Sequence, residues 1–282
     1  MSLESLLFSN IQMPGELVRI ALAILGTAAV AYFDIFNNRN IPNNFLYVFL
    51  GVSILTNIVF FDQDIFVFAA IIAVFLSLWG YLFYRVGHFG GADVFVLASL
   101  TLLLPIPPSF THMPFNMPFI FVIFLFALIL SSLYSVVDFA IKLTKKNAKP
   151  NMIYFALLIP YALFVYMFSS SPFFSLSFLI IISISLIATI FFAAYREDIL
   201  KLQAQKIPMS KVTEEDVLAI ELMDKDTVWL HSLKKLITTE ELKRLRKLKL
   251  QEVWVYTKLL PFLPFVFLGL LLSLVFANYL FY

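Results

Sequence analysis

The sequence predicts an all-α polytopic membrane protein, with about eight transmembrane helices and a small mixed α/β cytoplasmic domain before the last helix. Three observations predict it. Apolar residues dominate, they come in blocks long enough to cross a bilayer, and the basic residues fall almost entirely between alternate blocks. Hydrophobic residues make up 61% of the chain and charged residues 13%. Soluble domains carry about 25% charged residues, so this chain has too little polar surface to cover itself in water.

The apolar blocks lie at 17–34, 44–61, 65–85, 93–107, 116–138, 153–168, 173–195 and 258–281. A helix needs about 20 apolar residues to cross the hydrocarbon core. The fourth and sixth blocks are short, which tilt or interfacial flanks accommodate. No alternation of period two appears, so these are helices and not barrel strands, and in bilayer hydrocarbon a helix satisfies its own backbone. The N-terminus has no basic stretch ahead of an apolar run, so the first block reads as a retained span and not a cleavable signal.

Charge placement orients the spans. Arg39 lies in the first loop and Arg85 opens the third. Lys142, Lys145, Lys146 and Lys149 fill the fifth, and thirteen basic residues lie between Arg196 and Lys258. With eight spans, one side holds 19 of the 20 basic residues, Arg19 being the exception. That side is expected to be cytoplasmic, with both termini outside. The opposite side carries Asp62 and Asp64, a proline-rich loop at 105–118 and serines at 169–171.

The expected organisation is a transmembrane core over 1–195, a cytoplasmic soluble domain over 196–257 and a last transmembrane helix over 258–282. In the soluble segment, Thr213-Glu-Glu-Asp216 and Thr238-Thr-Glu-Glu241 have capping-box character. The second opens a helix with Leu242, Leu245 and Leu248 on one stripe and Lys243, Arg244, Arg246, Lys247 and Lys249 around it. That basic face reads either as solvated or as seated on anionic lipid headgroups. Val217–Leu222 and Thr227–Leu230 are candidate short strands.

Several chemistries are excluded or unsupported. The chain has no cysteine, which removes disulfides, thiolate catalysis and cysteine-ligated zinc. Its three histidines, His88, His112 and His231, are far apart in sequence, so no metal site is expected. His88 reads as a hydrogen-bonded boundary residue, and Gly51-Val-Ser53 is a lone Gly-x-Ser without a histidine partner. The 33 phenylalanines read as lipid-facing and packing material.

Acidic residues at membrane depth are costly and usually functional. Asp34 closes the first span, Asp93 opens the fourth and Asp138 closes the fifth. One out-and-back crossing separates Asp34 from Asp93, so both are expected at similar depth on the basic side. Two carboxylates at one depth can share a proton, leaving one neutral as acid and the other charged to activate water, and such a pair titrates as a unit. Aspartyl peptidase chemistry requires this. Three of the chain's eight glycines fall in Gly87-His-Phe-Gly90-Gly91-Ala92-Asp93, permitting a close-approaching backbone there. Taken alone, this string also reads as a glycine pair before a capping Asp. Asp34 lies in Tyr32-Phe-Asp34-Ile-Phe-Asn-Asn-Arg-Asn-Ile-Pro42-Asn43, a polar exit from the membrane.

These two elements, Asp34…Ile-Pro42-Asn43 and Gly90-Gly91-Ala92-Asp93, resemble the paired motifs of the archaeal preflagellin and type IV prepilin peptidases, within the broader GxGD aspartyl proteases. Ala92 fits the Gly-x-hydrophobic-Asp form usual in the archaeal branch. The resemblance is firmest over 17–107. Pro261-Phe-Leu-Pro264 is loosely similar to the Pro-Ala-Leu-Pro element of the presenilin branch, and Lys206–Leu250 looks like the cytosolic domain of preflagellin peptidases. The hairpin 153–195 is extra relative to the six-span archaeal pattern.

The resemblance implies an aspartic endopeptidase with Asp34 and Asp93 catalytic. Gly90, Gly91 and Ala92 would shape the substrate channel, Pro42 and Asn43 would position the first Asp loop, and Asp138, Pro261 and Pro264 are possible modulators. The implied partners are prepilin-like or prearchaellin substrates and membrane lipids; no nucleic acid and no cofactor is implied. Cleavage is expected without N-methylation, since the paired Cys-x-x-Cys motifs of the bacterial enzymes and a nucleotide loop are both absent. Alternatives are a presenilin-like protease that cuts within the bilayer, an ion-coupled transporter using membrane carboxylates, and a non-enzymatic scaffold presenting the 196–257 segment.

Overall fold

The computed structural model describes residues 11–37, 40–86, 89–113, 115–171, 174–213, 216–224, 228–229, 233–247, 252–257 and 260–281. Arg39, Gly87, His88, Glu214, Glu215, Thr227, Leu230, His231, Leu248, Lys249 and Lys258 lie outside them. The helices of the apolar blocks are α1 (Glu16–Phe36), α2 (Asn43–Val59), α3 (Gln63–Val86), α4 (Gly91–Leu103), α5 (Phe119–Lys145), α6 (Leu158–Ser169) and α7 (Leu176–Ala194). Then come α8 (Arg196–Gln203), β1 (Ala204–Pro208), α9 (Thr239–Lys247), β2 (Glu252–Tyr256) and α10 (Leu263–Phe276).

Six helical segments among the described residues are long and apolar enough to cross a membrane: α1, α3, α5, 152–169, α7 and 263–280. The segment 152–169 joins a 3-10 stretch, Met152–Leu157, to α6. The protein is therefore a multi-pass membrane protein. Helices α2 and α4 are apolar but shorter, at 17 and 13 residues. The fourth block was expected to stay helical to 107, but α4 ends at Leu103. Prolines 105, 107 and 108 prevent continuation, and residues 104–108 run on without helix, fully buried.

Helix α10 lies between α1 and α5, and α4 lies between α2 and α3, with α1 touching α4. Close approach is built in by small residues, as expected where lipid supplies no hydrophobic drive between helices. A Cβ placed on Gly269 would come within 2.6 Å of the Ile123 carbonyl oxygen and 2.8 Å of the Ala127 nitrogen. The core joins Val30, Phe49, Leu100, Ile123, Val266 and Leu270 from these helices. The 152–169 segment is different: none of its residues is buried.

At the end away from the basic loops, buried Arg19 holds the bundle together. It donates to Asn57 Oδ1 at 3.0 Å, to the Leu102 and Leu103 carbonyls at 3.2 and 3.4 Å, and to the carbonyls of Phe60 and Pro14 at 3.3 and 2.9 Å. The last carbonyls of a helix have no partner within it, so one guanidinium closes the C-termini of α2 and α4 together. Its charge also suits the negative ends of two helix dipoles. Nearby, the buried Glu16 carboxylate accepts from the Ser109 amide at 3.0 Å and its hydroxyl at 2.8 Å.

A second, separate core lies within 207–255 and includes Val212, Leu218, Ile237, Leu245, Val253 and Val255. Strands β1 and β2 pair antiparallel, with Ala204 opposite Tyr256 and Pro208 opposite Glu252. The strands expected at Val217–Leu222 are not formed. Val217 and Leu218 make isolated bridges, and Ile220–Leu222 is a 3-10 turn. The alternating Val253 and Val255 took the strand position instead, burying one face as period-two geometry requires. Helix α9 starts where Thr238 accepts from the Glu241 amide, with Leu242 and Leu245 buried as expected. Burial disfavours the Glu221 carboxylate, but the Lys235 ammonium and the Tyr256 hydroxyl that donate to it outweigh this and hold it below the usual glutamate range.

Candidate active site

Asp34 lies in the last turn of α1 and is 7% exposed. Its Oδ2 accepts a hydrogen bond from the Leu263 backbone N–H at 3.2 Å. Leu263 is the first residue of α10 and Pro264 the second. The opening N–H groups of a helix lack internal partners, and Pro264 has no N–H to satisfy. Asp34 therefore takes a donor that the helix leaves open, and its negative charge faces the positive end of the α10 dipole.

Asp93 lies in the first turn of α4. Its Oδ2 accepts from the Gly90 N–H at 2.8 Å, while its own N–H donates to the Gly90 carbonyl at 3.2 Å. This is the reach-back half of a capping box, the role that the glycine pair and the Asp suggest on local grounds alone. The two carboxyl groups occupy helix mouths that the Phe89–Phe262 ring stack joins. Each sits at a helix N-terminus, one at its own helix and one at a neighbour's.

Aromatic packing ties the two mouths together. The Phe262 ring, just before α10, stacks on Phe89, just before Gly90, with centroids 6.1 Å apart and planes at 17°. Phe124 of α5 meets both rings edge-on. Phe33 packs edge-on against Phe45 at 5.5 Å, joining the end of α1 to the start of α2. Reading the phenylalanines as lipid-facing and packing material fits these ring contacts but did not single out Phe89 and Phe262 as the pair between the two motifs. The available signal was position: Phe89 and Phe262 each immediately flank a motif.

The other expected site residues fall as follows. Pro42 caps α2, its carbonyl accepting from the Phe45 and Leu46 amides. Asn43, Gly90, Gly91 and Ala92 line a trough of about 980 Å³ walled by α2, α3 and α4. Asp34 and Asp93 are not in its lining. Pro261 and Pro264 flank the Leu263 amide that meets Asp34. Asp138 forms an ion pair with Lys142, one turn along α5. Among the described residues, no group of His, Asp and Glu is arranged to hold a metal ion.

Comparison with known proteins follows the same geography. Residues 21–136 match the model of the type IV leader peptidase family. The chain is 30% identical over 104 residues to the prepilin peptidase EppA of Methanothermobacter thermautotrophicus. That alignment covers 36% of this chain and 27% of the relative, so the chain spans about a quarter of the protein it matches. No solved structure matches. The matched segment contains Asp34, Pro42, Asn43 and Gly90 through Asp93, and excludes Pro261 and Pro264. The segment that carries both aspartate motifs is thus the part of the chain that is similar to the type IV leader peptidase family.

Proposed function

We propose that the protein is a membrane aspartic endopeptidase. It removes short basic leader peptides from prepilin-like or prearchaellin substrates at the cytoplasmic membrane face, without N-methylation. The observation that supports this reading is that Asp34 and Asp93 sit at the mouths of α10 and α4, which the Phe262–Phe89 stack joins.

The chemistry follows from a shared proton. One carboxylate takes a proton from water, and the resulting hydroxide equivalent adds to the scissile carbonyl carbon. The other member, protonated, gives its proton to the departing amine nitrogen as the C–N bond breaks. Two neighbouring carboxyl groups resist double ionisation, so one can keep a proton while the other is charged.

Eight spans fit this site. About 25 Å for α2 and 20 Å for α4 at 1.5 Å per residue fall short of the roughly 30 Å core. The buried segment 104–108 completes the fourth crossing, because non-helical backbone is tolerated at depth when protein surrounds it. With eight crossings the basic loops share one side, which assigns the aspartate end to the cytoplasm. The 196–257 segment then lies on that side as a small domain.

The test is cleavage by purified protein in detergent, using a substrate with a basic leader ahead of an apolar helix. Mass and N-terminal sequence of the product are read for wild type, Asp34→Asn and Asp93→Asn. Full activity in either variant refutes the dyad. A product cut inside the apolar helix assigns the presenilin-like reaction, and a methylated N-terminus refutes cleavage without methylation. An inert wild type that moves ions in liposomes assigns transport.

A further inference from the structure

The trough that touches the glycine motif has not been given an occupant. It is an open furrow on the bundle's lipid side. Ile54, Val74 and Leu78 on its rim are 43%, 60% and 62% exposed, whereas Leu46, Ala73 and Leu102 are nearly buried. Each wall is a helical stripe. On α2 it is Asn43, Leu46, Leu50 and Ile54; on α3 it includes Phe66, Ala70, Ala73 and Ser77; on α4 it includes Gly91, Val94, Phe95, Ala98 and Leu102. Spacings of three and four place such residues on one face.

We propose that this trough seats the apolar helix of the substrate, the segment that follows the scissile bond. The proposal rests on the leader-peptidase reading above and adds where the uncleaved part of the substrate binds.

Three observations favour a peptide helix as occupant. First, the trough abuts the candidate active site: its basic-side end is formed by Gly90, Gly91 and Ala92, and the Gly90 N–H donates to the Asp93 carboxylate at 2.8 Å. A helix lying in it would deliver its N-terminal end, where the leader joins, to the dyad. Second, the dimensions suit a partly embedded helix. From Gly91 to Leu102 the wall is about 16 Å long at 1.5 Å per residue. Along α3 the lining runs from Phe66 to Tyr84, about 27 Å at the same rise. A volume of about 980 Å³ spread over about 16 to 27 Å gives a cross-section of about 35–60 Å², against about 80–110 Å² for a helix 10–12 Å across, so the guest is partly embedded with its outer side left to lipid. Third, the walls are lined by the small side chains of Ala70, Ala73, Ser77 and Ala98, which let helices approach closely in a membrane. At the basic-side end the lining turns polar, with Asn40, Asn43 and Tyr84, where a leaving helix becomes a basic leader.

Photo-crosslinking tests this directly. Benzoylphenylalanine replaces Leu78 or Ile54 on the rim of the trough, or Ile159 on α6, which is 75% exposed and away from it. Each replacement is made in full-length Asp93→Asn protein in liposomes, so that bound substrate persists. A prepilin-like substrate is expected to form adducts at Leu78 and Ile54 at least about tenfold above Ile159. Equal adducts at all three positions, or adducts with lipid alone, overturn the proposal.

A kinetic arm uses Ala70→Leu and Ser77→Leu in the otherwise wild-type chain. These narrow the trough and are expected to raise KM about tenfold or more with kcat held within about twofold, the signature of lost substrate binding. An unchanged KM in folded variants overturns the proposal. Wild-type cleavage in the same assay reports separately on the leader-peptidase reading. No cleavage with strong Leu78 adducts refutes that reading and leaves the docking site standing.

Discussion

The two ends of the bundle bury charge in opposite ways. At the end away from the basic loops, Arg19 donates to five acceptors and closes the C-termini of α2 and α4. At the other end, Asp34 and Asp93 face the N-termini of α10 and α4. Both arrangements obey the helix dipole. The difference is in chemistry. A guanidinium does not release its proton in a protein, so saturating it with carbonyls makes a fixed clamp. Neighbouring carboxyl groups can exchange a proton, so in the proposed reading the end opposite the clamp carries a titratable pair. Helix α4 takes part in both ends, which makes the clamp a plausible gauge for the depth of Asp93.

The largest effect is expected at the carboxylate end. Asp34→Asn and Asp93→Asn should each reduce cleavage by about a thousandfold or more, since neither proton transfer survives. Thermal unfolding of both proteins should stay close to wild type. A large loss of stability in these variants would place the aspartates with Arg19 as structural groups and erase the contrast.

Arg19→Met should do the reverse. Leaving the Leu103 and Phe60 carbonyls without their donor costs about 1–3 kcal/mol each where nothing replaces it, while the Leu102 carbonyl keeps the Asn57 amide. The expected outcome is severe loss of folded protein, measured by size exclusion and unfolding in detergent. A stable Arg19→Met variant with normal activity would break the clamp reading.

Gly269→Ala tests the packing that holds α10 at Asp34. The added Cβ meets α5 backbone at 2.6 and 2.8 Å, and overpacking costs about 1–3 kcal/mol. Because α10 also presents the Leu263 amide, activity should fall together with stability. A stability loss without any change in cleavage would uncouple the α10 mouth from the dyad.

The smallest effect lies outside the membrane. Glu221 is held below the ordinary glutamate range by Lys235 and Tyr256 against the opposing effect of burial. A depressed carboxylate contributes stability above its unfolded pKa of about 4.3, and that contribution is lost as pH falls toward its folded value. Half-exposed ion pairs of this kind contribute little, so the expected change is a slight acid destabilisation of the 204–257 core. Intrinsic Trp254 fluorescence during unfolding would follow it, and Glu221→Gln should flatten the dependence below pH 4.3, about where free glutamate titrates. An unchanged acid limb would separate Glu221 from the core's stability.

Helix locations were legible because hydrophobic blocks and basic loops are one-dimensional signals. Residues 16–36, 63–86 and 119–145 needed only length and apolarity. The end of α4 was less legible: the apolar run to 107 looked like more helix, and the prolines with Arg19's demand for carbonyls ended it at Leu103. The strand placement in 204–257 also misled, since Val217–Leu222 and Val253–Tyr256 are both β-prone. Which one pairs depends on what lies beside it, and β1 lies beside Tyr256.

What the sequence determined by itself is the membrane class, the candidate aspartates and their common side, because charge placement and motif spacing survive projection onto a line. What only the tertiary structure decided is who meets whom. The Leu263 amide reaches Asp34 across 229 positions, and Phe262 stacks on Phe89 between the two motifs. Local propensity carries no information about such pairs. They arise from packing, where small residues such as Gly269 set how closely two helices approach and therefore which side chains come within hydrogen-bond reach.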